Sequence, residues 1–204
     1  MTDQLLARYP IISGQVDKKE LRVILFELER LLQQGINGAV VEFGCYVGTT
    51  SLFIARMLHH YNQHGSYHVY DSFQGLPDKT APDFSVAGEQ FRAGELLATQ
   101  KQLITNFKKA SVPVPVIHKS WFQDLSPRDI PANIVFAFLD GDYYQSINDS
   151  LALIVPQLAP TSTIVVDDYA SSALPGAARA VDEWARAQRW QIRTEASLAI
   201  IRNG

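Results

Sequence analysis

Val40-Val41-Glu42-Phe43-Gly44-Cys45-Tyr46-Val47-Gly48-Thr49-Thr50-Ser51 decides how this chain reads. A β-branched, apolar run meets an acid, turns through a Gly-xxx-Gly step and enters small hydroxyl residues that open an amphipathic segment. The order is strand, tight turn and helix N-terminus, the element that holds nucleotide-like cofactors in open α/β sheets. Gly44 lets the backbone turn with no Cβ in the way, and Gly48 allows close approach of a ligand or helix. Glu42 stands where a carboxylate accepts hydrogen bonds from a cationic or hydroxyl-bearing ligand. A pyrophosphate on the helix N-terminus calls for the fuller Gly-x-Gly-x-x-Gly. Two glycines at wider spacing suit a cofactor without phosphates, such as S-adenosylmethionine. The same turn also serves as a plain strand-to-helix connection in any α/β protein.

Outward from this stretch, strands and helices alternate. Residues 1–16, with Tyr9-Pro10-Ile11-Ile12-Ser13-Gly14, read as an irregular arm that covers a site or packs on a partner subunit. Asp17 and Glu20 form a capping box for a helix whose Leu21, Ile24, Leu25, Leu28, Leu31 and Leu32 fall at helical spacing; Gly35 ends it. Strands are expected at 39–43, 66–70, 114–118, 134–139, 163–166, 190–194 and 198–202. Helices are expected at 49–60, 89–109, 148–155 and from Pro175 to about Gln188. This alternation predicts a Rossmann-like, doubly wound α/β fold: a mostly parallel seven-stranded sheet with an antiparallel closing pair and helices on both faces. The interval from Ser72 to Gly88, rich in Gly, Pro and Asp, reads as a lid over the same sheet edge as the Gly44 turn.

At 204 residues the chain makes one domain with one sizeable core, and 47% apolar against 19% charged residues is an ordinary globular balance. The net charge of −3 with no run of Lys or Arg argues against nucleic acid and anionic membranes as partners. A single cysteine, Cys45, excludes an internal disulfide framework and fits a reducing, cytoplasmic setting. No apolar run approaches the ~20 residues of a membrane span, and the N-terminus lacks the order of a signal peptide. The apolar 9–12 arm and the exposed end of the last strand pair make a homodimer the expected assembly.

Parallel sheets bind ligands beyond the carboxyl ends of their strands, and acids end several strands here. Asp71 follows the glycine turn at the distance where an acid accepts both ribose hydroxyls, although Asp-Ser also caps turns. Asp140, Asp142, Asp167 and Asp168 end two buried strands with no Lys or Arg beside them. Adjacent strands lie ~5 Å apart, so if these two are neighbours the carboxylates converge and repel unless a cation joins them; taken singly, each also reads as a helix N-cap or turn former. An all-oxygen set suits Mg²⁺ or Ca²⁺ rather than zinc. His118 ends a strand near this region, and Ser120-Trp121-Phe122 offers a hydroxyl and an aromatic wall for an adenine, or simply core.

Together the segments resemble class I S-adenosylmethionine-dependent methyltransferases, and more narrowly the macrocin/mycinamicin/novobiocin-type sugar O-methyltransferases. The resemblance runs from about residue 39 to 185. It is carried by Val41-Glu42-Phe43-Gly44 through Gly48-Thr49-Thr50-Ser51, Asp71-Ser72-Phe73-Gln74-Gly75-Leu76-Pro77 and Ser120-Trp121-Phe122-Gln123-Asp124-Leu125. It continues through Leu139-Asp140-Gly141-Asp142-Tyr143-Tyr144, Ile164-Val165-Val166-Asp167-Asp168-Tyr169 and Ala180-Val181-Asp182-Glu183. It implies a Mg²⁺-dependent methyl transfer from S-adenosylmethionine to a hydroxyl of a sugar or other vicinal diol. Glu42, Gly44, Gly48 and Asp71, with Tyr46, Thr49 and Ser72 in the same turns, would hold the methionine and ribose. Ser120 and Trp121 would flank the adenine, and Asp140 would adjoin the cofactor. Asp140, Asp167 and Asp168 would bind Mg²⁺, with Asp140 or Asp142 taking the proton. Related catechol-type enzymes place a lysine where Tyr143 stands. Two other readings compete. A non-catalytic nucleoside-binding protein has no need of the acid set, and an NAD-dependent oxidoreductase lacks its third glycine and a Tyr-x-x-x-Lys set.

Overall fold

In the computed structural model, which describes residues 1–63, 66–87 and 91–203, five parallel strands precede an antiparallel closing pair. The parallel strands are β1 (Ala39–Phe43), β2 (Tyr67–Asp71), β3 (Val116–Lys119), β4 (Ile134–Leu139) and β5 (Leu158–Val166); the closing pair is β6 (Ile192–Glu195) and β7 (Leu198–Asn203). Their order across the sheet is β3-β2-β1-β4-β5-β7-β6. The helices are α1 (Thr2–Arg8), α2 (Lys18–Gln33), α3 (Thr49–His60), α4 (Gln100–Ala110), α5 (Tyr144–Ile154) and α6 (Pro175–Gln188).

Every residue of β1 and β4 is buried, as a sheet covered on both faces demands. Successive side chains divide between two cores. Val40, Phe136 and Phe138 pack with Leu25, Leu28 and Phe53 of α2 and α3. Val41, Phe43, Ala137 and Leu139 pack on the opposite face with Ile147 and Leu151 of α5 and Ala177 and Val181 of α6. The fold class expected from the alternation is the one observed.

Local chemistry sets the ends of the elements. The Asp17 carboxylate accepts from the N–H groups of Lys19 and Glu20, while Glu20 accepts from the Asp17 N–H, completing the capping box at the start of α2. Residues 2–8 are a helix and not an irregular arm: Leu5 and Leu6 are buried, and Thr2 donates twice to Glu29. The helix expected over 89–109 is also shorter. It begins at Gln100, where Thr99 and Gln102 form a capping box, and the left-handed Gly94 and Leu96 break any earlier helix. Glu89, where that expectation began, lies outside the described residues. Conversely α5 starts at Tyr144, four residues before the expected core of that helix, and β5 starts at Leu158.

The strand order reverses at β1, which lies between β2 and β4. A crevice therefore opens beyond the carboxyl ends of these strands. Its floor is closed by backbone contacts: Gly44 N–H donates to the Tyr70 carbonyl, Asp140 N–H to that of Phe43, and Asp167 N–H to that of Leu139. Gly44 has φ +85° and lies against the Asp140 carbonyl so closely that an added Cβ would overlap it. Gly44→Ala is expected to lower stability by roughly 2–4 kcal/mol, as clash and left-handed strain combine. Denaturant unfolding monitored by circular dichroism measures this.

Candidate functional site

A cavity of about 380 Å³ occupies the crevice, and its wall includes the Gly44-Cys45-Tyr46 turn, Asp71 and Ser72, Trp121 and Phe122, and Asp140 through Tyr143. Of the residues expected to hold the cofactor, Gly44, Tyr46, Asp71, Ser72, Trp121 and Asp140 reach the cavity wall. The two turns are stitched together by one side chain. Asp71 accepts from the N–H groups of Cys45 (2.9 Å) and Tyr46 (3.2 Å) through one oxygen and from Phe73 N–H (2.7 Å) through the other. Tyr46 and Phe73 both hold positive φ, at 47° and 54°. Asp71 is therefore a turn-bracing acid. The Cys45 thiol also reaches the first oxygen (3.4 Å), so the acceptor capacity left for a ligand hydroxyl lies on the oxygen that faces the Phe73 N–H.

Glu42, Gly48, Thr49 and Ser120 stand behind the cavity wall. Glu42 is buried and accepts from the Tyr67 hydroxyl. Gly48 caps α3 in the left-handed region, with Leu103 of α4 packed where a Cβ would be. Thr49 shares a 2.7 Å hydrogen bond with Ser13, and Ser120 donates to the Trp121 carbonyl. His118 shares a 3.0 Å hydrogen bond with His68 and stacks on Tyr70, which in turn stacks on Phe43 with ring centroids 4.3 Å apart. Gln15, which no sequence signal marks, joins the cavity wall.

The acids converge. Carboxylate oxygens of Asp140, Asp142 and Asp168 all lie within 4.8 Å of one another. Asp167, at the end of the same strand as Asp168, accepts from the Asp168 N–H and from Ser197 through one oxygen. Register explains the convergence: Leu139 pairs with Val166 across β4 and β5, so the acids following each strand emerge side by side. Asp142 and Asp168 hold left-handed backbone angles (φ 58° and 57°), which aspartate tolerates better than most residues. Burial, followed by the charges of Asp167, Asp142 and Asp168, raises the Asp140 carboxyl well above the usual range. Burial and then Asp168 do the same to Asp142. Asp167 is pushed up to about 8, by burial and then Asp168, and Asp168 up to about 6, by burial and then Glu20. No Lys, Arg or His is among the described residues that line the cavity. The cluster therefore holds protons or a cation, and its all-oxygen donor set fits Mg²⁺. Tyr143, at the position where related enzymes carry a lysine, donates its hydroxyl to the Phe91 carbonyl and is raised above its ordinary pKa by burial.

The strand order and this crevice define a Rossmann-like fold of the class I methyltransferase kind. Among solved structures, the O-methyltransferase NovP superposes with a TM-score of 0.82 at 22% identity, over 92% of this chain and 81% of that one. An O-methyltransferase from Bacillus cereus in complex with SAH matches with a TM-score of 0.63 at 14% identity, over 98% and 88%. The macrocin O-methyltransferase (TylF) family model matches residues 11–196, and the chain belongs to that family. It is accordingly an O-methyltransferase. Its relatives include the 8-demethyl-8-(2,3-dimethoxy-alpha-L-rhamnosyl)-tetracenomycin-C 4'-O-methyltransferase of Streptomyces olivaceus, 30% identical over 83% of this chain and 68% of the relative. The mycinamicin III 3''-O-methyltransferase of Micromonospora griseorubida is 27% identical over 86% and 72%. The oxidoreductase and non-catalytic readings give way to this membership.

Burial raises Glu42 from 4.5 to about 7. Between those values the folded state keeps a proton that the unfolded chain has released. Stability from this group is full below pH 4.5 and declines as pH rises to 7, by ~1.4 kcal/mol per unit and about 3 kcal/mol in all. Glu42→Gln is expected to be more stable than the wild type at pH 8, with the two converging near pH 4. Urea unfolding across this range checks it.

Proposed function

We propose that the enzyme transfers the methyl group of S-adenosylmethionine to a hydroxyl of a sugar or other vicinal-diol acceptor, with Mg²⁺ as cofactor. The observation that carries this reading is the meeting, in one cavity, of a glycine turn and a carboxylate cluster with no Lys, Arg or His among the described residues that line it. The name of the tetracenomycin relative, which includes an alpha-L-rhamnosyl group, supports a sugar acceptor.

In this reading Gly44 and Tyr46 hold the methionine part of the cofactor, Asp71 and Ser72 the ribose, and Trp121 the face of the adenine. Glu42, Gly48, Thr49 and Ser120 act from behind by keeping the two turns in shape. Asp140 and Asp168 belong to the ion's donor set whichever acid is third. Asp142 completes the observed trio, while Asp167 is the third ligand that the family resemblance implies. Bound Mg²⁺ would lower the pKa of an acceptor hydroxyl and orient its oxygen. A sulfonium is already activated, so positioning by these residues supplies most of the rate. A carboxylate has two oxygens, so Asp142 can stand in the donor set and still accept the hydroxyl proton. The buried, reduced Cys45 supports a cytoplasmic setting, and the exposed Ile12 and Phe26 support a homodimer, which sedimentation at two concentrations tests.

Calorimetry of S-adenosylmethionine and Mg²⁺ binding, followed by glycoside acceptors with and without EDTA, tests the reading. Asp168→Asn is expected to weaken Mg²⁺ binding by at least about 10–100-fold and to leave cofactor binding intact. Comparing Asp142→Asn with Asp167→Asn identifies the third ligand as the variant that loses the ion. Failure of the wild type to bind S-adenosylmethionine would sink the proposal.

A further inference from the structure

Asp83 has no part in the chemistry proposed above, yet it is completely buried (0% exposed). Its hydrogen-bond donors are uncharged. One oxygen accepts from the backbone N–H (2.9 Å) and hydroxyl (2.6 Å) of Thr80, and the other from the N–H of Tyr144 (2.7 Å). Tyr144 is the first residue of α5, and directly follows Asp142 and Tyr143. The oxygen that accepts from Tyr144 also abuts Gly176, in the first turn of α6, where any Cβ would overlap it. A single buried carboxylate thus sits between two helix N-termini, whose partial positive charges favour it.

The same tripeptide moors a second segment. Tyr143 donates its hydroxyl to the Phe91 carbonyl, and its ring packs with Leu76, Leu174, Phe91 and Leu96 in a small separate core. Leu76 is in turn bonded to the backbone of Gly94 and Glu95. Gly75, Pro77, Asp78 and Thr80 form part of the cavity wall. Both stretches of the wall, 75–84 and 91–96, are therefore fastened to Asp142-Tyr143-Tyr144, the turn that presents one member of the acid cluster.

We propose that Asp83 is a positioning residue that latches this wall to the start of α5 and so fixes the turn carrying Asp142. The link from that turn to metal binding rests on the function proposed above; the latch itself does not. A wall held this way moves only when a buried carboxylate gives up its donors, and its movement disturbs the acid cluster in the same step.

The test is hydrogen exchange on the ligand-free full-length chain, with Asp83→Ala and Asp83→Asn beside the wild type. Loss of a hydrogen bond to a charged group is expected to speed exchange at 76–84 and 143–147 by about 10–100-fold in Asp83→Ala, with β1 and β4 unchanged. Asp83→Asn keeps an acceptor for the Tyr144 N–H and is expected to fall between; it also serves if Asp83→Ala does not fold. Mg²⁺ affinity is expected to drop by roughly 10-fold, as on loss of a supporting contact, while S-adenosylmethionine affinity stays within about twofold. Unchanged exchange in both segments, or a uniform rise that includes β1 and β4, would overturn the latch. Failure of the wild type to bind either ligand would count against the proposed function alone, since exchange still decides the latch.

Discussion

The site depends on a constraint imposed by the backbone. Hydrogen bonds from Gly44 to Tyr70, Asp140 to Phe43 and Asp167 to Leu139 carry the sheet's pairing one residue past the strand ends. Strands in register stand about 4.8 Å apart, and the residues leaving them have no freedom to separate. Carboxylates that would disperse in a flexible loop are held in mutual repulsion because the apolar runs of β4 and β5 pair as they do. Stability supplied by the two cores is thus spent on concentrating negative charge.

Elsewhere the chain treats buried acids differently. Glu27 of α2 is fully buried and is met by Arg30, Arg193 and Arg202, which join the helix to the closing strands. Glu29 is met by Thr2 and Tyr61. Where a buried carboxylate serves only the architecture, donors surround it, as the cost of an unpaired buried charge requires. Asp140, Asp142 and Asp168 are half-buried without such partners among the described cavity-lining residues, and the cation of the proposed function would relieve this contrast within one molecule.

Much of this was legible in residue order. The continuous apolar runs of β1 and β4, the Asp17–Glu20 box and the glycine turn each name a local physical cause, and each produced the expected element. The acid cluster was legible because consecutive parallel strands deliver their following residues to one edge. What stayed hidden was direction. Glu42 lies one residue short of the end of β1, where the pleat turns it toward Tyr67 and away from the cavity. The helix expected from residue 89 was read from composition, while the Thr99–Gln102 box that starts it lay inside the expected span. Asp83 was visible only as a loop aspartate, since its contact with Tyr144 joins residues 61 apart in the chain.

The contact between Gly44 and the Asp140 carbonyl bears on how such an enzyme diversifies. The width of the crevice at its base is a main-chain distance, which substitution of side chains cannot tune. Acceptor preference must then drift through the segments above, at wall positions such as Asp78 that carry no part of the Asp83 latch. A family built this way inherits its chemistry as a fixed part and its substrates as an exchangeable one.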